Sequence, residues 1–380
     1  MFAMIKDYVI RLISIDWLML LSAVTISLAG LITMSSFAGD NVFFQKQLIW
    51  ITFSVIVFFT LSMIDFRFLR RTGVITGLFI GSCVVLLSLF VFGSVFKGAQ
   101  SWFNFGFFAF QPSDPIKIIV ILVLAKYFTR RHVEIAHIRH IFVSGMYAFI
   151  IFLLVFLQPD FGSAIIIFSV WFGMVLVSGI SKKHLLAVFV VGIVSFLLLW
   201  FFVFQPYQKQ RIVTFIHPLA DIHGAGYNAY QSTIAVGSGG LSGKGVGFGT
   251  QSKLSFLPEY QTDFIFAAFA EEWGFFGVCL LFILYAVLLC RILKISSRGA
   301  SNFETLFGLG VVILFLSHGI IHIGMNIGIL PVTGTTIPFM SYGGSHLLTE
   351  FIALGILSGM SHYGRTVHKE VIAQSDVVLG

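Results

Sequence analysis

Charge is scarce in this chain. Of its 380 residues only 10% are Asp, Glu, Lys or Arg, where soluble domains carry about 25%, and that deficit excludes a soluble globular fold. Cysteine is sparse too. Cys83, Cys279 and Cys290 all lie in apolar runs and are odd in number, so no disulfide framework is read from them. A removable leader is also missing from the pattern. The first long apolar run starts at Trp17 after Lys6 and Arg11, has no small-residue cleavage site, and predicts a retained helix.

Apolar surface is what the chain has in quantity. Hydrophobic residues make up 58% of it, and runs near 17–36, 47–64, 73–95, 115–128, 141–157, 161–180, 185–204, 264–290, 305–329 and 345–362 read as bilayer spans. The predicted fold class is an all-α integral membrane protein of about ten transmembrane helices. Residues 1–380 form one polytopic domain, with a large extracytoplasmic loop, 205–263, between helices 7 and 8. The fourth span is short, begins at Pro115 and carries Lys117 and Lys126, so it is tilted, amphipathic or shielded by protein.

Basic residues orient the set. Lys6, Arg11, Arg67, Arg70, Arg71, Lys126, Arg130, Arg131, Arg139, Lys182, Lys183, Arg291, Lys294, Arg298, Arg365 and Lys369 fall in the termini and alternate loops. The opposite side has only Lys46, Lys97, Lys209, Arg211, Lys244 and Lys253. The positive-inside rule places the first group, and both termini, in the cytoplasm of an inner-membrane protein. The net charge of +7 then reflects topology and contact with anionic membrane lipid, and nothing in it calls for nucleic acid. Two polar outer segments, 205–263 and 96–114, the latter with Trp102, Asn104, Gln111 and Asp114, are expected to face each other across one cavity.

Within the larger loop, Gly237 to Gly245 invites comparison with a phosphate loop. Ser238 and Gly245 break the GxxxxGK[ST] pattern, so the segment reads as a flexible re-entrant or lid element whose N–H groups and Lys244 remain candidates for a lipid pyrophosphate. Leu257 to Asp263 precedes an apolar helix. Glu259 and Asp263, at i and i+4, share a face if this turn is helical; the alternative is a helix start capped by Thr262 or Asp263. A carboxylate at the membrane edge is a candidate base, because desolvation raises its pKa. Glu271, followed by Glu272, lies about 12 Å further along the helix axis and must face protein, as a functional acid or as half of a buried pair. Asp114 and Lys117, at i and i+3, predict a structural pair near the cavity. His318, His322 and Asn326 form one stripe, and His346 with Glu350 another. These read either as a proton relay or as interhelical hydrogen bonds, and HxxxH alone does not make a metal site.

A family resemblance rests on Gly98-Ala99-Gln100-Ser101-Trp102, Gln111-Pro112-Ser113-Asp114, Gln158-Pro159-Asp160-Phe161-Gly162, Gly224-Ala225-Gly226-Tyr227, Gly237 to Gly245, Leu257 to Glu272, and Asn326 to Gly344. Through these the chain resembles the shape, elongation, division and sporulation (SEDS) proteins, the RodA/FtsW glycosyltransferases that polymerise the lipid-linked peptidoglycan precursor. Ala270-Glu271-Glu272, Met325-Asn326-Ile327-Gly328 and Pro331-Val332-Thr333-Gly334 are more similar to the RodA branch. The resemblance implies ten helices, a large fourth outer loop and Asp263 as the essential acid. The implied reaction is an inverting transfer that extends β-1,4 glycan strands from lipid II during cell elongation.

On that reading Glu259 orients Asp263 or holds a metal. Lys209, Arg211, Lys244 and Lys253, or a divalent cation such as Mg or Mn, offset charge on the leaving undecaprenyl pyrophosphate. The metal is not identified, and no organic cofactor is implied. Glu271, Glu272, Trp102 and Ser341 are further candidate site residues. A class B penicillin-binding protein, the transpeptidase of the elongation machinery, is the implied partner. The chain departs from the family at three points: Asp114 replaces the usual glutamate and precedes Pro115, Ser101 replaces a frequent arginine, and Glu350 enters a normally apolar helix. Two rival readings stand beside the enzyme. One is a flippase for the lipid-linked precursor that uses His318, His322, His346 and Glu350; the other is a non-catalytic scaffold for a transpeptidase.

Overall fold

The computed structural model describes residues 15–35, 42–96, 99–106, 108–129, 138–179, 181–202, 206–216, 225–253, 256–257 and 259–378. Hydrocarbon offers the backbone no partners, so an apolar run folds into a helix that satisfies its own N–H and C=O groups. Each run does so. In chain order the helices are α1 (Trp17–Ser35), α2 (Val42–Ser62), α3 (Thr72–Phe92), α4 (Ser113–Thr129), α5 (Ile138–Phe156), α6 (Phe161–Val177) and α7 (Lys182–Phe202). The region predicted as the large loop then forms α8 (Pro206–Ile216), α9 (Ala225–Ser238) and the single turn α10 (Thr250–Lys253). Finally come α11 (Ile265–Ser296), α12 (Asn302–Asn326) and α13 (Gly344–Val378). Helices α1, α2, α3, α5, α11 and α12 are long and apolar enough to cross a bilayer, and the chain is a multi-pass membrane protein. Hydroxyls inside the spans bond back to their own helix: Ser27 to Ala23 O at 3.0 Å, Ser62 to Phe58 O at 2.8 Å and Ser82 to Leu78 O at 2.8 Å.

Helix α4 is shielded by protein. It has 17 residues, is surrounded by α3, α5, α6, α12 and α13, and buries Asp114 and Lys117 among aliphatic side chains. At its other end Lys126 Nζ donates to the Arg70 carbonyl. Helix α13 lies along α2, and α11 along α1 and α12. Close approach of α13 and α2 relies on Gly355, where a Cβ would stand 2.9 Å from the Leu61 Cβ.

A small antiparallel sheet, β1 (Ser94–Phe96), β2 (Ala99–Asn104) and β3 (Ala109–Phe110) in the order β1-β2-β3, joins α3 to α4. Ser94 pairs with Trp102 and Phe103 with Phe110. The segment docks on the start of α13: Gln111 N–H donates to Ser345 Oγ at 3.3 Å, and Phe108 packs edge-on against Trp50.

The glycine-rich segment corrects the expectation of a flexible lid. Helix α11 is broken at Gly274 (φ 65°, ψ −167°), and the 239–245 backbone is bonded into the break. Phe275 and Phe276 N–H donate to Gly240 O (2.9 Å) and Leu241 O (3.1 Å), while Lys244 and Gly245 N–H donate to Glu271 O and Glu272 O (both 3.0 Å). A Cβ at Gly274 would overlap the Gly243 nitrogen, and one at Gly243 would overlap the Glu272 carbonyl oxygen. Glycine is therefore required there for approach as well as for its positive φ.

Gly274→Ala is expected to destabilise the protein by about 3 kcal/mol or more, from backbone strain plus overlap. Gly77→Ala, in α3 with nothing within 4 Å of the added carbon, is expected to be neutral or stabilising by up to about 1 kcal/mol. Thermal unfolding in detergent checks the contrast; equal melting temperatures would show that the break tolerates a side chain.

Candidate functional site

Asp263 is presented by a turn. Residues 259–264 wind around one carbonyl, with Glu259 O accepting from the N–H groups of Thr262 (3.1 Å), Asp263 (3.0 Å) and Phe264 (3.3 Å). Glu259 has φ +52°, a left-handed conformation outside the register of α11. The shared helical face that the i, i+4 spacing offered therefore does not form, and the N-cap position falls on Phe264 rather than on Thr262 or Asp263. The Glu259 carboxylate instead faces the Thr262 hydroxyl, Oε2 to Oγ1 at 3.4 Å. Burial, and then the Glu259 charge, raise the neighbouring Tyr260 phenol above its ordinary value.

Polar ties hold this turn from outside. Buried Asn326 donates Nδ2 to Asp263 O (3.0 Å) and His322 O (2.8 Å), while its Oδ1 accepts from Ala267 N–H (3.2 Å) and the Ser232 hydroxyl (3.3 Å). Buried Ser341 donates Oγ–H to Thr262 O (2.9 Å) and accepts from Ile337 N–H (3.0 Å). Tyr342 N–H donates to Gln261 O at 2.8 Å. Asp263 itself stays half-buried. Its Oδ2 lies 3.7 Å from where a Cβ on residue 334 would stand, and Gly334 takes φ +74° beside it.

The sequence marked Asn326 in a histidine stripe and in the family motifs without a role of its own, and Gln47 escaped it altogether. Gln47 Nε2 donates to Ser341 O (3.1 Å), and its Oε1 accepts from Gly343 N–H (3.3 Å). An amide at the head of an apolar run, two residues after Gln45, was its one signal.

Glu271 and Glu272 are buried and occupied with backbone. Glu271 Oε1 accepts from Lys244 Nζ (2.7 Å), Thr250 N–H (2.8 Å), Thr250 Oγ (3.1 Å) and Gln251 N–H (3.1 Å). Glu272 Oε1 accepts from Gly247 N–H at 3.0 Å. Together they hold the 244–251 segment against α11. Lys244, a pyrophosphate candidate, is thereby engaged with Glu271 and with the Thr250 hydroxyl (2.9 Å). Lys209 sits over the Trp200 ring, 6.0 Å from its centroid. The side chains of Arg211 and Lys253 lie outside the described residues.

The Asp114–Lys117 pair forms, Oδ1 to Nζ at 3.0 Å, with both groups buried. The two histidines of α12 bond one loop: His318 Nδ1 lies 3.1 Å from Thr336 O and His322 Nδ1 2.8 Å from Thr335 O. Trp102 is in the middle strand, where its carbonyl accepts from Ser94 Oγ (2.8 Å). The two outer segments meet through a third, 337–345, which bonds Gln261 on one side and Gln111 on the other. A cavity of about 200 Å³ lies between α8, α9 and residues 327–332, lined by Thr214, Tyr230, Thr233, Leu330 and Pro331 among others. Among the described residues no group of three or more His, Cys, Asp or Glu side chains is placed to hold a metal ion.

Comparison with known proteins gives this geometry its relatives. The family model for FtsW, RodA and SpoVE, described as cell cycle proteins, matches residues 8–366. Peptidoglycan glycosyltransferase MrdB of Escherichia coli K12 is 40% identical over 291 residues, covering 76% of this chain and 78% of that protein. Stage V sporulation protein E of Bacillus subtilis is 34% identical over 328 residues, covering 86% and 89%. Among solved structures, a chain of a peptidoglycan synthase complex that coordinates polymerization and crosslinking superposes with TM-score 0.79 at 27% identity, covering 92% of this chain and 98% of that one. Rod shape determining protein RodA of Thermus thermophilus superposes with TM-score 0.68 at 26% identity, covering 91% and 96%. The match runs through the Asp263 turn and the segments that clamp it, and the chain belongs to the FtsW, RodA and SpoVE family of cell cycle proteins.

Proposed function

We propose that this protein is a peptidoglycan glycosyltransferase that extends β-1,4 glycan strands from lipid II during cell elongation. Its ten spans cross the cytoplasmic membrane with both termini inside, and the Asp263 turn opens at the outer face. The activity named for MrdB, at 40% identity, supports the reaction class, and the likeness to RodA supports the elongation branch. The observation that carries the reading is a half-buried carboxylate on a turn tied at Gln261, Thr262 and Asp263, with Gly334 beside it.

Asp263 acts as general base. It takes the proton of the acceptor sugar's 4-hydroxyl as that oxygen attacks the donor's anomeric carbon; the new glycosidic bond forms as the bond to undecaprenyl pyrophosphate breaks, and configuration inverts. Rigid support of the turn matters because a base must sit within hydrogen-bond reach of the proton it removes. Glu259, bonded through Thr262, orients the turn. Among Lys209, Arg211, Lys244 and Lys253, Lys209 is assigned to offset leaving-group charge, since Lys244 is engaged with Glu271. A class B penicillin-binding protein is the proposed partner, supported by the likeness to a chain of a peptidoglycan synthase complex.

Purified protein with its transpeptidase partner, given labelled lipid II, is expected to polymerise it. Asp263→Ala and Asp263→Asn are expected to lose at least about 100-fold, the lower end of a general base's contribution. Polymer at the wild-type rate from either variant sinks the assignment. A second test separates the two roles open to Lys244. Glu271 is fully buried and Lys244 is 29% exposed, so Lys244→Met is expected to destabilise by about 2 kcal/mol, less than a wholly buried pair. Adding Glu271→Gln is expected to restore both melting temperature and turnover. Restored stability without turnover would return Lys244 to the pyrophosphate.

A further inference from the structure

A buried charge in a membrane bundle has to be paired, and buried ionisable groups that the proposed chemistry leaves unused gather at one place. Asp114 Oδ1 faces Lys117 Nζ at 3.0 Å and His346 Nδ1 at 3.5 Å. The other nitrogen of that imidazole, Nε2, lies 2.8 Å from Glu350 Oε1. Glu350 Oε2 accepts a 2.7 Å bond from Phe339 N–H. Helices α4 and α13 are thus joined by a line of side chains that ends on a backbone amide, with the His318 ring 4.9 Å from that of His346.

Phe339 is the informative end of the line. It is a bulky, buried, non-glycine residue at φ +62°, a conformation that persists only where its surroundings over-determine it. The loop around it is gripped on its other sides by backbone carbonyls: Thr335 O by His322, Thr336 O by His318 and Pro338 O by the Tyr285 hydroxyl. Glu350 supplies the anionic acceptor for its N–H, a charge-assisted bond of the stronger kind. From Phe339 the chain runs straight into Ser341 and Tyr342, which bond Thr262 O and Gln261 O in the turn that carries Asp263.

We propose that Glu350, aligned by His346, is a positioning residue for the glycosyl transfer, holding Phe339 and, through residues 337–342, the turn that presents Asp263. The inference rests on the reading of Asp263 as the base. It predicts that loss of the Phe339 bond loosens Asp263 without altering how lipid II is bound.

Two variants separate the bond from bulk and charge. Glu350→Leu keeps the volume and removes the acceptor. Glu350→Gln keeps an oxygen for Phe339 N–H and can turn its amide N–H toward His346 Nε2, with the other ring nitrogen left beside Asp114. In the full-length protein with its transpeptidase partner, Glu350→Leu is expected to lower kcat about tenfold with KM for lipid II within about twofold, and Glu350→Gln to stay within about threefold of wild type. Hydrogen exchange over 259–264 and 337–342 is expected to quicken in Glu350→Leu alone, with α1 and α5 unchanged. Wild-type kcat in Glu350→Leu, equal losses in both variants, or exchange raised throughout the protein overturns the proposal. Should Asp263→Asn keep polymerising, the base assignment fails, while the exchange data still decide whether Glu350 holds the turn.

Discussion

Inside a bilayer, backbone that leaves the helix finds no water, and each freed N–H and C=O must be met by the protein itself. Two such stretches organise this chain. At Gly274 the ladder of α11 opens, and the glycine backbone of 240–245 fills it amide by amide. Between α12 and α13, residues 327–343 run without regular structure, and their carbonyls and amides are met by His318, His322, Tyr285, Gln47, Ser341 and Glu350. Gln47, His318, His322, Ser341 and Glu350 are buried polar side chains that answer this demand. Asp263 sits on a turn tied to the second stretch and leading into the helix that the first interrupts.

The same economy governs charge. Arg291 grips Asp16 through two nitrogens, with Nε 3.0 Å from both carboxylate oxygens, and joins α11 to the entry of α1. Arg70 and Glu304 join the turn before α3 to α12, and Lys117 with Asp114 closes the start of α4. Desolvation takes back much of what such pairs gain, so the value of the Arg291–Asp16 and Arg70–Glu304 pairs lies in specifying one arrangement: slide either segment and a buried carboxylate loses its partner.

Rigidity at the turn fits the chemistry proposed for it. A base that works through hydrogen-bond geometry gains from a carboxylate whose backbone is fixed on three consecutive carbonyls, Gln261, Thr262 and Asp263. Left-handed backbone at Glu259 begins the turn, and Gly334, also left-handed, lies beside the Asp263 carboxylate.

Much of this was legible in the amino acids alone. Ten apolar runs announced ten helices because hydropathy is a property of a residue and its near neighbours, and the bilayer punishes any other fold. Asp263, Asp114 with Lys117, and the unusual 205–263 region stood out because polar residues beside such runs are costly. What stayed hidden was every pairing between distant segments. Nothing local says that Glu271 receives Lys244, that Gln47 holds Ser341, that Glu350 ends on the amide of Phe339, or that a glycine segment read as a lid is stitched into a broken helix. Those contacts exist only after the helices have packed, when close approach decides which carbonyl each buried donor meets.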